Sequence, residues 1–387
     1  MNILYVCGNN PLKKDIGVHQ RTNLLYKALC KIAQVDAVYQ SDINKTLDDS
    51  ANHSLIPVDV YRPPLFRRLF YSLLKRCRRP SFLNLLSKKD IFMSRKINEL
   101  TRKKDYDYIV VRYLAMAVKC GIAFNKKVII DLDDLPEQLY LSALNKPNNT
   151  RFQNLYYKLL AKSAKYHTKQ IACKVKCVYL PNKSQCALIP NSFYLPNIPY
   201  PKRYPLENNS GDMNIMFVGL LSWWPNIYGV RHFLDKVWDH VTKELPDARF
   251  NIIGAELSQE DKRLWEQHKG VNIVGFAQDL IKEYVKNSVV ITPIYHGAGT
   301  NIKVLEAMRM GKALVATEHA SRGFEDIAHD GQNVFIAKND HDFAQKIVRL
   351  LKDRGLNELM GKNAKNSLKN KYSFSNFCKV IKNSILT

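Results

Sequence analysis

Short apolar runs that end in glycine or a polar residue and feed helical stretches recur along this chain. That alternation constrains the fold more than any other feature. The first run is Asn2–Cys7. A polar loop with Gly8 and Gly17 follows, then a helical stretch over 18–33 in which Leu24, Leu25, Ala28, Leu29 and Ile32 recur at helical spacing. Further runs lie at Val35–Tyr39, Tyr108–Arg112, Lys127–Asp131 and Lys176–Leu180. A turn-rich segment carrying Pro190, Pro196, Pro199, Pro201 and Pro205 interrupts the pattern. It then restarts with Asn214–Val218 before Gly219, a helix over 227–244, Arg249–Ile253 before Gly254, Val271–Val274 before Gly275, Val289–Thr292 and Ala313–Thr317. Strands covered on both faces read as continuous apolar runs, and the helices between them are the crossovers of a parallel sheet. The pattern predicts an α/β chain with doubly wound domains at 1–198 and 199–372 and a last helix, 373–387, returning to the first domain. A length of 387 residues suits two such domains. Two facing sheets of this kind predict a central cleft at the carboxyl ends of their strands.

No apolar run approaches the roughly 18 residues that span a bilayer. The opening Met1–Val6 has no basic region or cleavage site, so it reads as a strand and predicts a cytoplasmic chain. Eight cysteines are scattered without a Cys-x-x-Cys pair, which predicts buried, reduced thiols.

The net charge is +24 and unevenly placed. Residues 1–200 hold 33 Lys and Arg against 14 Asp and Glu, and residues 201–387 hold 26 against 21. The first half is therefore expected to face something anionic. Within 65–79, Leu65, Phe66, Leu69, Phe70, Leu73, Leu74 and Cys77 share one half-circle of a helical wheel. Arg67, Arg68, Lys75, Arg78 and Arg79 take the other, with Arg76 at its border. A basic amphipathic helix suits an anionic membrane interface, and it also fits an ordinary surface helix packed on the domain. The segment lacks a nucleic-acid module, so nucleic acid is not the expected partner.

The chemistry concentrates in Thr292–Thr317, which reads as a strand, a glycine-containing loop, an amphipathic helix and another strand. Gly297, Gly299, Thr300 and Asn301 would let backbone N–H groups approach a ligand at a helix N-terminus, which favours phosphate. Lys303 in the first turn could reach the same phosphate. Glu306, at i+3, shares its face and could accept two hydrogen bonds from ribose hydroxyls. The same spacing also fits a plain solvated ion pair.

This segment resembles the donor block of glycosyltransferase family four, retaining GT-B enzymes that use nucleotide sugars. Val218-Gly219, Ile253-Gly254, Val274-Gly275-Phe276, Pro196-Asn197, Glu306-Ala307-Met308 with Gly311, and Tyr372-Ser373-Phe374 follow in the family's order, and the resemblance covers about 214–375. It implies a GT-B fold of two Rossmann-like domains. It also implies a ribose held by Glu306 and a base lying against Gly275-Phe276-Ala277. Two departures stand out. The first glutamate of the family's Glu-x7-Glu pair falls on Ala298, and the diphosphate-clamping Arg and Lys near the first turn are replaced by Leu220–Asn226. The phosphate role therefore shifts to Lys303 and the loop amides, assisted by Ser222 and Asn226 beside Gly219.

In the first half, Asp131-Leu132-Asp133-Asp134 follows a strand and looks like a metal-binding Asp-x-Asp, yet the donor block belongs to a metal-independent fold. Asp133, His19 and Arg112 are the expected catalytic or cleft-facing residues there; no metal and no cofactor is expected. No Gly-x-Ser-x-Gly elbow points to hydrolase chemistry. The resemblance implies transfer of a sugar from a nucleotide-sugar donor to a glycan or lipid-linked acceptor, with retention, in surface-polysaccharide synthesis on the inner face of the cytoplasmic membrane. An inactive GT-B scaffold and a sugar-nucleotide epimerase are the alternatives.

Overall fold

The computed structural model describes residues 1–13, 17–41, 54–60, 90–146, 149–199, 213–369 and 371–386. The basic segment 65–79, with Arg67, Arg68, Lys75, Arg76, Arg78 and Arg79, lies outside them. The chain divides into two compact units, one of Met1–Asn197 with Phe374–Thr387 and one of Ile198–Ser373.

The first unit is built on seven strands: β1 (Asn2–Cys7), β2 (Gln34–Ser41), β3 (Leu55–Asp59), β4 (Tyr108–Arg112), β5 (Val128–Asp131), β6 (Cys177–Leu180) and β7 (Ser192–Tyr194). They are ordered β3-β2-β1-β4-β5-β6-β7 and every neighbouring pair is parallel. The central strands are buried along nearly their whole length, as continuous apolar runs require when helices cover both faces. The helix Phe374–Leu386 packs on this unit through buried Phe377, Ile381 and Ile385. Its Ser384 hydroxyl shares a buried 2.7 Å hydrogen bond with the Tyr179 hydroxyl.

The second unit has six strands: β8 (Asn214–Val218), β9 (Arg249–Ile253), β10 (Val271–Gly275), β11 (Val289–Thr292), β12 (Ala313–Thr317) and β13 (Phe335–Ala337). Their order is β10-β9-β8-β11-β12-β13, again all parallel. Phe233, Trp238, Phe250 and Phe343 form an aromatic core on one face, with Phe233 and Phe250 centroids 5.0 Å apart. The helix expected over 227–244 starts earlier, at Trp224 with Pro225 in its first turn, and passes through a π-helical turn at Leu234–Trp238.

Three strands have no counterpart in the apolar runs: β3, β7 and β13. Each closes an edge of its sheet. All three are only three to five residues long, and β3 and β7 are half solvated, so their apolar signal is weak; Pro57 in β3 is tolerated only at such an edge. Seven cysteines are described, all unpaired, and Cys173 is exposed rather than buried.

Close backbone approach fixes two glycines of the second unit. A Cβ on Gly254 would lie 1.9 Å from the Gly219 carbonyl oxygen, and one on Gly229 would lie 2.0 Å from that of Pro293. Gly254→Ala is expected to cost about 2 kcal/mol and lower the melting temperature by roughly 4–8 °C. Gly355→Ala, whose Cβ meets nothing closer than 3.5 Å, is the control and should leave it near the parent value in the same thermal scan.

Candidate functional site

In an open parallel sheet, ligands bind outside the carboxyl ends of the strands where the strand order reverses. In the second unit that switch lies between β8 and β11, and the donor-block residues gather at it. Lys303, on the helix Ile302–Arg309 that follows β11, donates 2.7 Å to the Asn226 side-chain oxygen. Asn226 belongs to the helix Trp224–Phe233 that follows β8, and its amide donates 2.7 Å to the Leu220 carbonyl. The Lys303–Asn226 bond therefore crosses the switch. Gly219 makes room for it, since a Cβ there would sit 2.9 Å from the Asn226 amide nitrogen.

The Lys303 ammonium also lies over the Phe217 ring, 4.7 Å from its centroid. Burial pushes its pKa down to about 7, against the raising pull of the Glu306 carboxylate. The N-cap residue Asn301 makes no side-chain bond to the first turn of the Ile302–Arg309 helix; its amide donates instead to the Ala320 carbonyl at 3.3 Å. Gly297 takes a φ of 130°, open to glycine alone, and its carbonyl accepts from Arg322 at 3.3 Å. Arg322 also lies 3.3 Å from the His319 ring nitrogen. Burial first, then Arg322, pushes His319 down to about 4, so its ring is neutral at physiological pH. His296, just before the loop, stacks on Trp224 at 5.3 Å and sits edge-on to Tyr228 at 4.8 Å.

The structure thus brings Lys303, Asn226, Gly219, Glu306, Asn301, Thr300, Gly299 and Gly297 to one end of one sheet. Ser222 lies on the adjoining turn, exposed, and donates 2.5 Å to the Glu256 carboxylate. Gly275 and Phe276 sit at the end of β10, two strands from β8; Phe276 is 71% exposed. Arg322, His319, His296 and Trp224 were not singled out in the sequence. Their one signal was position: Arg322 comes five residues after the strand end Thr317, the carboxyl end of the neighbouring strand.

The first unit gathers charge at its own switch, between β1 and β4. Arg21 grips Asp131 through Nη2 at 2.6 Å and Nε at 3.1 Å, and its Nε lies 3.0 Å from Asp133. Arg112 pairs with Asp131 and, at 2.5 Å, with Asp133. Tyr113 holds a φ of 69°, strained for a bulky residue, and its hydroxyl donates 2.7 Å to Asp133. Burial raises the Asp133 pKa, but Arg112 and Arg21 outweigh it and hold the carboxyl below its ordinary value. Arg112 has no exposed surface and bonds both carboxylates, so it positions Asp133. His19 is half-buried on the first turn of the helix Gly17–Cys30. Asp131 and Asp133 are thus answered by two guanidiniums, Arg21 and Arg112.

Residues 212–353 match the family model described as glycosyl transferases group 1. A 44.6 kDa protein in the cps region of Klebsiella pneumoniae is 27% identical over 277 residues, which cover 68% of this chain and 70% of that one. Sucrose-phosphate synthase from Thermosynechococcus elongatus superposes with a TM-score of 0.71 at 16% identity, covering 99% of this chain and 97% of that one. HepE from Anabaena, solved with UDP and glucose, superposes with a TM-score of 0.63 at 14% identity, covering 100% and 99%. The chain has the two-domain GT-B fold.

Two outcomes follow from the charges. Without ligand, Lys303 is ionised in the unfolded chain below its ordinary value of 10.5 and in the folded chain only below about 7. The parent protein therefore loses stability as pH falls through that window, and the loss levels off below it. Lys303→Met should gain melting temperature relative to the parent as pH drops from 10 towards 7, with the gap constant below. In the first unit, Asp131→Asn should cost about 3–5 kcal/mol by leaving two guanidiniums short of charge, and the double variant with Arg21→Met should cost less than the two singles summed in urea unfolding.

Proposed function

We propose that this chain transfers a glycosyl unit from a nucleotide-sugar donor to a glycan or lipid-linked acceptor, with retention and without a metal, in surface-polysaccharide synthesis. The observation that carries the reading is the Lys303–Asn226 bond across the β8/β11 switch, inside the segment that matches the glycosyl transferases group 1 model. A diphosphate at the Ile302–Arg309 helix would meet the loop amides at Gly297–Asn301, the Lys303 ammonium and the Arg322 guanidinium. Fixed positive groups of this kind stabilise the charge that develops on a departing diphosphate. Glu306, one turn further on, would hold the ribose hydroxyls; Phe276, exposed beyond Gly275, would cover the base. Ala298 offers no carboxylate, so contacts to the sugar come from elsewhere. Asp133, poised by Arg112, Arg21 and Tyr113, is the residue of the first unit assigned to the acceptor side, with His19 beside the same switch. The cps-region relative supports the polysaccharide setting, and UDP in HepE supports a nucleotide donor.

Binding by Lys303 carries a proton signature. An arriving diphosphate restores the charge that burial withholds, so a nucleotide sugar should bind at pH 8 with uptake of about one proton and at pH 5.5 with none. Calorimetry in buffers of different ionisation enthalpy reads this directly, and Lys303→Met should abolish it. The assigning experiment is a thermal-shift panel of nucleotide sugars and nucleoside diphosphates on the parent and Glu306→Ala. One base should shift the melting temperature, and the variant should bind it on the order of tenfold to a hundredfold more weakly. No shift with any nucleotide would overturn the donor site. Binding without release of nucleoside diphosphate in the presence of glycan acceptors would leave a nucleotide-binding subunit instead.

A further inference from the structure

The helix Arg151–Ala172 of the first unit runs for 22 residues, about 33 Å, and is set by a capping box in which Thr150 and Gln153 each satisfy the other's backbone N–H. One face is packed: Leu160, Ala161, Ala164, Thr168 and Ile171 are buried. A second face is apolar and uncovered. Phe152 is 86% exposed, Leu155 56%, Leu159 43% and Tyr166 60%. At 100° per residue these four fall within 60° of one another, so they form a single stripe rather than scattered surface residues. Beside it runs a third strip of Lys158, Lys162, Lys165 and Lys169, all exposed, within a further 60°.

The charge around this face is of one sign. From Gln138 to Pro199 there is no Asp or Glu, against nine Lys and Arg. The nearest acid, Glu137, is buried. A second copy of the chain would bring lysines against lysines, which is repulsive. An anionic bilayer instead accepts both strips: the apolar stripe enters the boundary between headgroups and acyl chains, and the lysine stems lie along it with their ammoniums among the phosphates.

We propose that the Arg151–Ala172 helix is a membrane-docking surface that seats the first unit on an anionic phospholipid interface. It deepens the lipid-facing part of the proposed function. Its test involves no nucleotide, so its failure would leave the donor site standing. The full-length protein is sedimented with vesicles of phosphatidylcholine alone and of equal phosphatidylcholine and phosphatidylglycerol, at low and high salt. Binding is expected to the anionic vesicles only, and to weaken with salt. The triple variant Lys158→Glu, Lys162→Glu, Lys165→Glu should lower partition on the order of a hundredfold or more. The triple Phe152→Ser, Leu155→Ser, Leu159→Ser should lower it to a comparable degree while the melting temperature stays at the parent value. If either triple fails to fold, the singles Leu155→Ser and Lys162→Glu, both at exposed positions, carry the test with severalfold losses. No binding to anionic vesicles, or binding that neither set of changes weakens, would overturn the proposal. So would a dimer in sedimentation velocity that the serine variant dissolves, because the stripe would then be a subunit contact.

Discussion

The carbonyl of Gly219 stands where a Cβ on Gly254 would be, and the arrangement at the end of β8 depends on that contact. Strands β8 and β9 can end so close together only because neither turn carries a side chain there. The same bare Gly219 lets Asn226 tuck its amide against the Leu220 carbonyl. With Asn226 held, its side-chain oxygen faces the next helix and takes the Lys303 ammonium. A run of small backbone constraints thus ends in a cation held over the Phe217 ring, at the point where the sheet order reverses.

That cation is held in a state that suits its chemistry. A lysine in water is charged whether or not a ligand is present, so its attraction to phosphate is offset by the loss of its hydration. Burial has already stripped much of that hydration from Lys303, and the pKa near 7 records the cost. A diphosphate that arrives there meets a group whose desolvation was met when the protein folded. Arg322, which keeps its charge at any working pH, stands on the other side of the Gly297 loop.

The two units use the same geometry for different ends. Each brings charged side chains to the carboxyl ends of its parallel strands at the reversal of strand order. In the first unit these charges answer one another: Arg21 and Arg112 against Asp131 and Asp133, with only Asp133 reaching solvent. In the second they are cations and backbone amides, with Glu306 one helical turn beyond Lys303 and Glu256 on the Ser222 turn. A self-neutralised cluster fixes a conformation, whereas the cations of the second unit suit the diphosphate proposed for it.

Much of this was legible in the residues themselves. The buried strands β1, β4, β8, β9, β11 and β12 lie where the apolar runs lie, because a strand covered on both faces needs apolar residues throughout. The glycine-containing loop before the Ile302–Arg309 helix was legible because its glycines and the Lys303/Glu306 spacing are local properties of one helix start. The edge strands β3, β7 and β13 were not, being only three to five residues long, whereas the edge strand β10 was. Nor was the meeting of Arg322 and Trp224 with the His296-Gly297 loop, which depends on separate strand ends coming together. The pairing of Arg21 with Asp131 likewise joins residues 110 apart in the chain. Sequence by itself determined where the long buried strands lie, where a glycine-containing loop opens a helix and how the charge divides between the halves, because these follow from local periodicity and composition. Only the tertiary structure decided that Arg112 is buried, that Lys303 is desolvated and that the Arg151–Ala172 helix leaves an apolar stripe in water. Each of those depends on what the rest of the chain places around the residue.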